Sequence, residues 1–202
     1  MEKQSNLTVI RNRIKKAQPG TVFVAVDFVD VSEKTNINAY LAVLAEEGTL
    51  LRALRGVYYK PQYNKLLKEY VAPDIDKVAH AIARNYGWTI IPGEDAALNM
   101  LGLSTQVPAV YIYASDGPYK KYTVNNFTIE FKRTTQRDLV NLSFKTAIVV
   151  QALKALGKDH IKEDDIAQLK NVCTTEEKDK MIAEAKTVTA WIYDYIRKIC
   201  NE

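Results

Sequence analysis

The chain has 202 residues and a net charge of +4, from 28 Lys or Arg against 24 Asp or Glu. That length suits one large domain or two small ones, and so mild a charge excess does not by itself name a partner. No apolar run approaches the roughly 20 residues that span a bilayer, and the opening MEKQSNLT lacks the apolar centre of a signal peptide. The two cysteines, Cys173 and Cys200, make no disulfide framework, so a reduced, cytoplasmic protein without a membrane partner is expected.

Leu7, Ile10, Ile14 and Ala17 recur on one face of a first helix, with Arg11, Arg13, Lys15 and Lys16 mostly on the other. Pro19-Gly20 breaks it. Val22 to Val24 reads as a short strand and Ala25 to Val31 as a brief second helix. From Lys34 a third helix carries Ile37, Leu41, Leu44 and Ala45 on one stripe. Thr35 is its expected cap, with Asn38 as the polar partner three residues on. Gly48 ends it, because glycine takes the left-handed turn at no steric cost. Arg55-Gly56 between two apolar runs, ending at Pro61, signals a hairpin. Helix, strand, short helix, helix and hairpin in about 60 residues is the order of a winged helix-turn-helix.

Pro61 to Pro73 has Tyr63, Leu66, Leu67 and Tyr70 at helical spacing and reads as a charged helical connection. Asp74 caps a helix running to Tyr86, and Gly87 stops it. Trp88 to Ile91, Ala109 to Tyr113, Lys120 to Val124 and Phe127 to Arg133 are strands. A helix from Glu94 to Leu101 lies among them, and Asp116-Gly117-Pro118 forms a turn. A helix from Asp138 to Leu156 is apolar around most of its circumference, so it is buried on several sides. A short helix over Lys162 to Leu169 follows. One last helix runs from Thr175 to about Cys200, with Met181, Ala185, Val188, Ile192, Ile196 and Ile199 in a single stripe. The fold class is therefore α+β: a winged helix-turn-helix over 1–60, then over 61–202 a mixed domain of about four strands with a helical C-terminus.

A winged helix places the start of its recognition helix in the major groove of double-stranded DNA and its hairpin along the backbone. Lys34, Thr35, Asn36, Asn38 and Ala39 occupy that start. Asn pairs bidentately with adenine, and Ala or the Thr methyl meets a thymine methyl. Arg52, Arg55, Tyr58 and Lys60, on or beside the hairpin, are the expected phosphate contacts. Residues 1–60 hold 9 Lys or Arg against 6 Asp or Glu, which is compatible with that role.

An enzyme reading rests on Glu130-Phe131-Lys132, a Glu-x-Lys of the spacing used by metal-dependent nucleases, with Asp116 as the upstream carboxylate. The alternation of Thr128, Glu130 and Lys132 with Ile129 and Phe131 is equally that of a strand with one solvated face. No glycine-rich phosphate loop is present, and neither His80 nor His160 has ligands at metal spacing. No cofactor, metal or small-molecule ligand is expected, and the chain is not expected to be an enzyme.

Several segments resemble one family. Ile10-x-x-x-Ile14, Pro19-Gly20-x-Val22-Phe23, Asp27-Phe28, Leu41-x-x-Leu44, Gly48, Leu50, Arg52, Arg55-Gly56-Val57-Tyr58 and Pro61 are similar to the N-terminal domain of AbiEi-type antitoxins. Gly93, Ala96-Ala97, Leu101 to Pro108 and Ile129 to Arg133 resemble the second domain of the same group. Val43 stands between the two leucines, where members often carry a basic residue. The resemblance covers roughly residues 7–160. It implies an antitoxin of a type IV toxin–antitoxin system, active in abortive infection. Such a protein represses its own operon by binding operator DNA and counters a cognate toxin that resembles nucleotidyltransferases. A plain transcriptional repressor without a toxin is the alternative within the DNA-binding reading.

Overall fold

The computed structural model describes residues 5–106, 108–133 and 142–201. The chain divides into two compact units, residues 1–88 with 123–125, and residues 89–122 with 126–202. The class is α+β, as the residue patterns require.

In the first unit, helix α1 (Asn6–Lys16) starts where the Ser5 side chain accepts from the Thr8 amide at 3.3 Å. Strand β1 (Val22–Phe23) leads into a 3-10 turn (Ala25–Phe28), then α2 (Lys34–Glu46), β2 (Leu51–Leu54) and β3 (Val57–Tyr59). The strands form an antiparallel sheet of order β1-β3-β2, with Phe23 opposite Tyr58 and Arg52 opposite Tyr58 on its other side. Ile10, Ile14, Phe28, Ile37, Leu41, Leu44 and Leu50 are fully buried together. The element order and the sheet order are those expected of a winged helix. Gly48 and Gly56 have φ of +74° and +80°, the left-handed conformation that the helix stop and the hairpin turn demand.

Three local expectations are corrected here. The cap of α2 is Glu33, not Thr35: the 3-10 turn delivers extended backbone at Glu33, and Thr35 falls second in the helix. The expected second helix over Ala25 to Val31 shrinks to a four-residue 3-10 turn, tied by the Asp27 carboxylate accepting from the Val24 amide. The segment read as helical after Pro61 is a small hairpin, β4 (Tyr63–Asn64) paired with β5 (Glu69–Tyr70). Asn64 Oδ1 accepts from the amides of Leu66 and Leu67 at 2.9 and 3.2 Å, and Lys68 takes φ +55°. This side-chain-to-backbone turn prevails over the helical spacing of the apolar residues.

Helix α3 (Ile75–Tyr86) begins at Asp74, whose carboxylate accepts from Asp76 and Lys77, and ends at left-handed Gly87. It packs against β1, β3 and the 3-10 turn, and Arg84 joins Asp27 at 2.6 Å. The first unit therefore continues to Trp88, beyond the boundary expected after Lys60.

The second unit holds β6 (Ile90–Pro92), α4 (Glu94–Met100), β7 (Val110–Ser115), the first three residues of β8 (Lys120–Val124) and β9 (Phe127–Arg133). Its four strands run in the order β6-β7-β9-β8, with β6 antiparallel and β9 parallel to β7. Helices α5 (Phe144–Leu156), α6 (Glu163–Val172), α7 (Thr175–Glu184) and α8 (Ala190–Cys200) complete it. The expected start of a helix at Asp138 lies outside the described residues; α5 begins at Phe144 with Ser143 as its cap. The single C-terminal helix expected from the apolar stripe is two, separated by a 3-10 turn (Ala185–Thr187). The run Thr187-Val188-Thr189 is β-branched at every position, which disfavours helix. The apolar stripe nevertheless stays in one core with Leu153, Ile166 and Leu169. No helix among the described residues is long and apolar enough to cross a membrane.

Candidate nucleic-acid interface

Burial of Ile37, Leu41 and Leu44 fixes which way α2 faces. Lys34, Thr35, Asn36, Asn38 and Ala39 are consequently exposed at its N-terminal end, and Tyr40 is half-buried against the core. Among the described residues, no hydrogen-bond or ion-pair partner takes the side chains of Lys34, Thr35, Asn36 or Asn38. Donors and acceptors there are presented outward on a helix held rigid from behind. Val43 lies exposed farther along α2.

The hairpin adds Arg52 on β2 and Arg55 at the turn, both exposed. The Arg52 guanidinium lies 5.8 Å from the centre of the Tyr58 ring, which steadies the long side chain without neutralising it. Two of the expected phosphate-binding residues are corrected. Tyr58 is only 3% exposed and belongs to the core cluster, because β3 is the central strand and turns it inward. The Lys60 ammonium donates to the carbonyls of Lys15 at 2.6 Å and Ala17 at 2.8 Å, closing the C-terminal end of α1.

The other arginines of this unit are committed. Arg11 donates to both Glu47 oxygens at 2.8 Å. Arg13 makes a two-pronged pair with Asp30 at 2.9 and 2.7 Å. Those bonds hold the Asp30 carboxyl below its ordinary range and raise the Arg13 guanidinium. Arg84 is held by Asp27. Among the described residues, Lys34, Arg52 and Arg55 thus remain the uncommitted cations of α2 and the hairpin.

In the second unit, Glu130 accepts from the Tyr119 hydroxyl at 2.6 Å, a bond that raises the tyrosine pKa, with desolvation adding to it. Asp116 accepts from the Thr89 amide at 2.9 Å. The two carboxylates of the Glu-x-Lys reading are engaged by different partners. Among the described residues, no group of three His, Cys, Asp or Glu side chains stands close enough to hold a metal ion. Glu130 and Lys132 lie in register with Ile112 and Ala114 of β7, on the face opposite buried Ile129 and Phe131.

One surface is hidden in the residue pattern, the β4–β5 hairpin with its exposed Tyr63, Leu66, Leu67 and Tyr70. Asn64 is the turn signal there, masked by apolar residues that happen to repeat at helical spacing.

No curated protein matches the chain. The profile of DUF6088, a family of unknown function, matches residues 9–181, across both units. The chain is a member of the DUF6088 family.

Proposed function

We propose that this protein is a DNA-binding transcriptional regulator of the antitoxin type, which represses its own operon through double-stranded operator DNA. The observation that carries the reading is the outward face at the start of α2. Lys34, Thr35, Asn36, Asn38 and Ala39 are exposed and uncommitted there, and the hairpin presents Arg52 and Arg55 as free cations. In this reading the helix reads base edges and the hairpin arginines meet phosphates. Antitoxin activity is supported by the resemblance of the Arg55-Gly56-Val57-Tyr58 and Leu101 to Pro108 segments to AbiEi-type antitoxins. The second unit would counter a nucleotidyltransferase-like toxin, and the protein would work in the cytoplasm.

The test is a titration of the full chain against its own upstream DNA and a scrambled duplex, at two salt concentrations. A preference of about a thousandfold or more for its own DNA is expected. Asn36→Ala with Asn38→Ala lowers that preference by about 1–3 kcal/mol for each base edge the helix no longer meets. Arg55→Ala weakens binding to both duplexes alike and lowers the salt slope by about one. Equal, weak binding to both duplexes overturns the reading. Protection of cells from a neighbouring nucleotidyltransferase-like gene product separates an antitoxin from a plain repressor.

A further inference from the structure

The β4–β5 hairpin shows an apolar surface that the first unit does not use. Its strands pair over only two residues each, Tyr63 with Tyr70 and Asn64 with Glu69. Leu66 is 88% exposed, Leu67 63%, Tyr70 58% and Tyr63 53%. The Tyr63 and Tyr70 rings meet edge to face at 5.4 Å, and none of these four side chains joins a buried cluster of the described residues. A two-stranded ribbon on its own is marginal in water, and contiguous exposed apolar side chains of this size mark a contact surface.

We infer that this hairpin is the self-association surface of the protein, and that its partner is the same hairpin of a second copy. Two observations favour a second copy. The first is charge. Lys65, Lys68 and Glu69 sit among the apolar residues, and none of them has an ion-pair partner among the described residues. On a two-fold axis one copy's Glu69 can face a lysine of the other, so opposite signs can pair across it. The second is area. These residues, Val71 included, expose on the order of 600 Å² per copy, with backbone and tyrosine hydroxyls counted. Two copies then bury at most about 1,200 Å² through these residues, the lower end of a standard specific interface, as suits a reversible dimer of about micromolar affinity.

The dimer needs no DNA to form, so it is measured without any. Sedimentation velocity of the full chain from about 1 to about 200 µM is expected to show a mass that rises to a plateau at two chains. Leu66→Glu with Leu67→Glu raises the dissociation constant about a hundredfold or more. Circular dichroism stays unchanged, because both side chains point to solvent in the single chain. A wild-type chain that stays monomeric throughout overturns the inference. So does a mass that climbs past two chains without a plateau, or a dimer that survives the double substitution. Sequence-specific DNA binding by a strict monomer would leave the regulator reading standing and remove only the dimer.

Discussion

Lys60 places its ammonium on two backbone carbonyls at the end of α1, where the helix leaves acceptors without partners and the macrodipole is negative. Charge-assisted bonds at such a site contribute about 1–2 kcal/mol. Lys60→Ala should therefore lower the denaturant midpoint of the protein and leave the salt slope of DNA binding where it was. A flattened slope with unchanged stability would return Lys60 to the DNA-binding surface. In sequence, Arg52, Arg55, Tyr58 and Lys60 are one cluster of phosphate-binding residue types. The fold separates them: Tyr58 is buried on the central strand β3, and Lys60 is drawn to the end of α1. The exposed residues at the start of α2 were legible, since the spacing of Ile37, Leu41 and Leu44 already dictates the buried face.

Helix α5 shows how distant segments complete an element. Its first turn carries amides with no partner inside the helix. Glu184, the last residue of α7, accepts from the Ser143 amide at 2.8 Å and the Thr146 hydroxyl at 2.7 Å. Desolvation pulls the Glu184 pKa upward, but the bonds from Thr146 and from the Ser143 amide and hydroxyl outweigh it, so the carboxyl sits below its ordinary value. A depressed carboxylate pKa adds stability that is full above the unfolded-state value and lost as pH falls through the folded-state value. Glu184→Gln should cost about 1–2 kcal/mol at neutral pH, after discount for partial exposure, and converge with the parent in acid. A constant difference between the two across pH would assign the effect to shape instead of charge. No local pattern points to this cap, because its acceptor lies 41 residues from Ser143. The break between α7 and α8 was legible in Thr187-Val188-Thr189, yet the stripe from Met181 to Ile199 keeps helical spacing across it and hides the interruption.

At the scale of the whole molecule, strands β8 and β9 coincide with the runs read from sequence, Lys120–Val124 and Phe127–Arg133. The parallel pairing of β7 with β9 does not follow from those runs, since register between non-consecutive strands is set by packing. The same holds for the division between units. Local turn signals favour a boundary at Pro61, but α3, with Ile75, Val78 and Ile82 buried, packs on β1, β3 and the 3-10 turn and ties Arg84 to Asp27. Three buried aliphatic side chains at about 1.5–3 kcal/mol each amount to roughly 5–9 kcal/mol, comparable to the entire stability of a small domain. A fragment of residues 1–88 should therefore unfold in one steep urea transition, and a fragment of residues 1–60 should show none, since β1, β3 and the 3-10 turn are then without the helix that covers them. If the shorter fragment unfolded with the same midpoint and slope as the longer, α3 would be an appendage of the winged helix and not a part of its core.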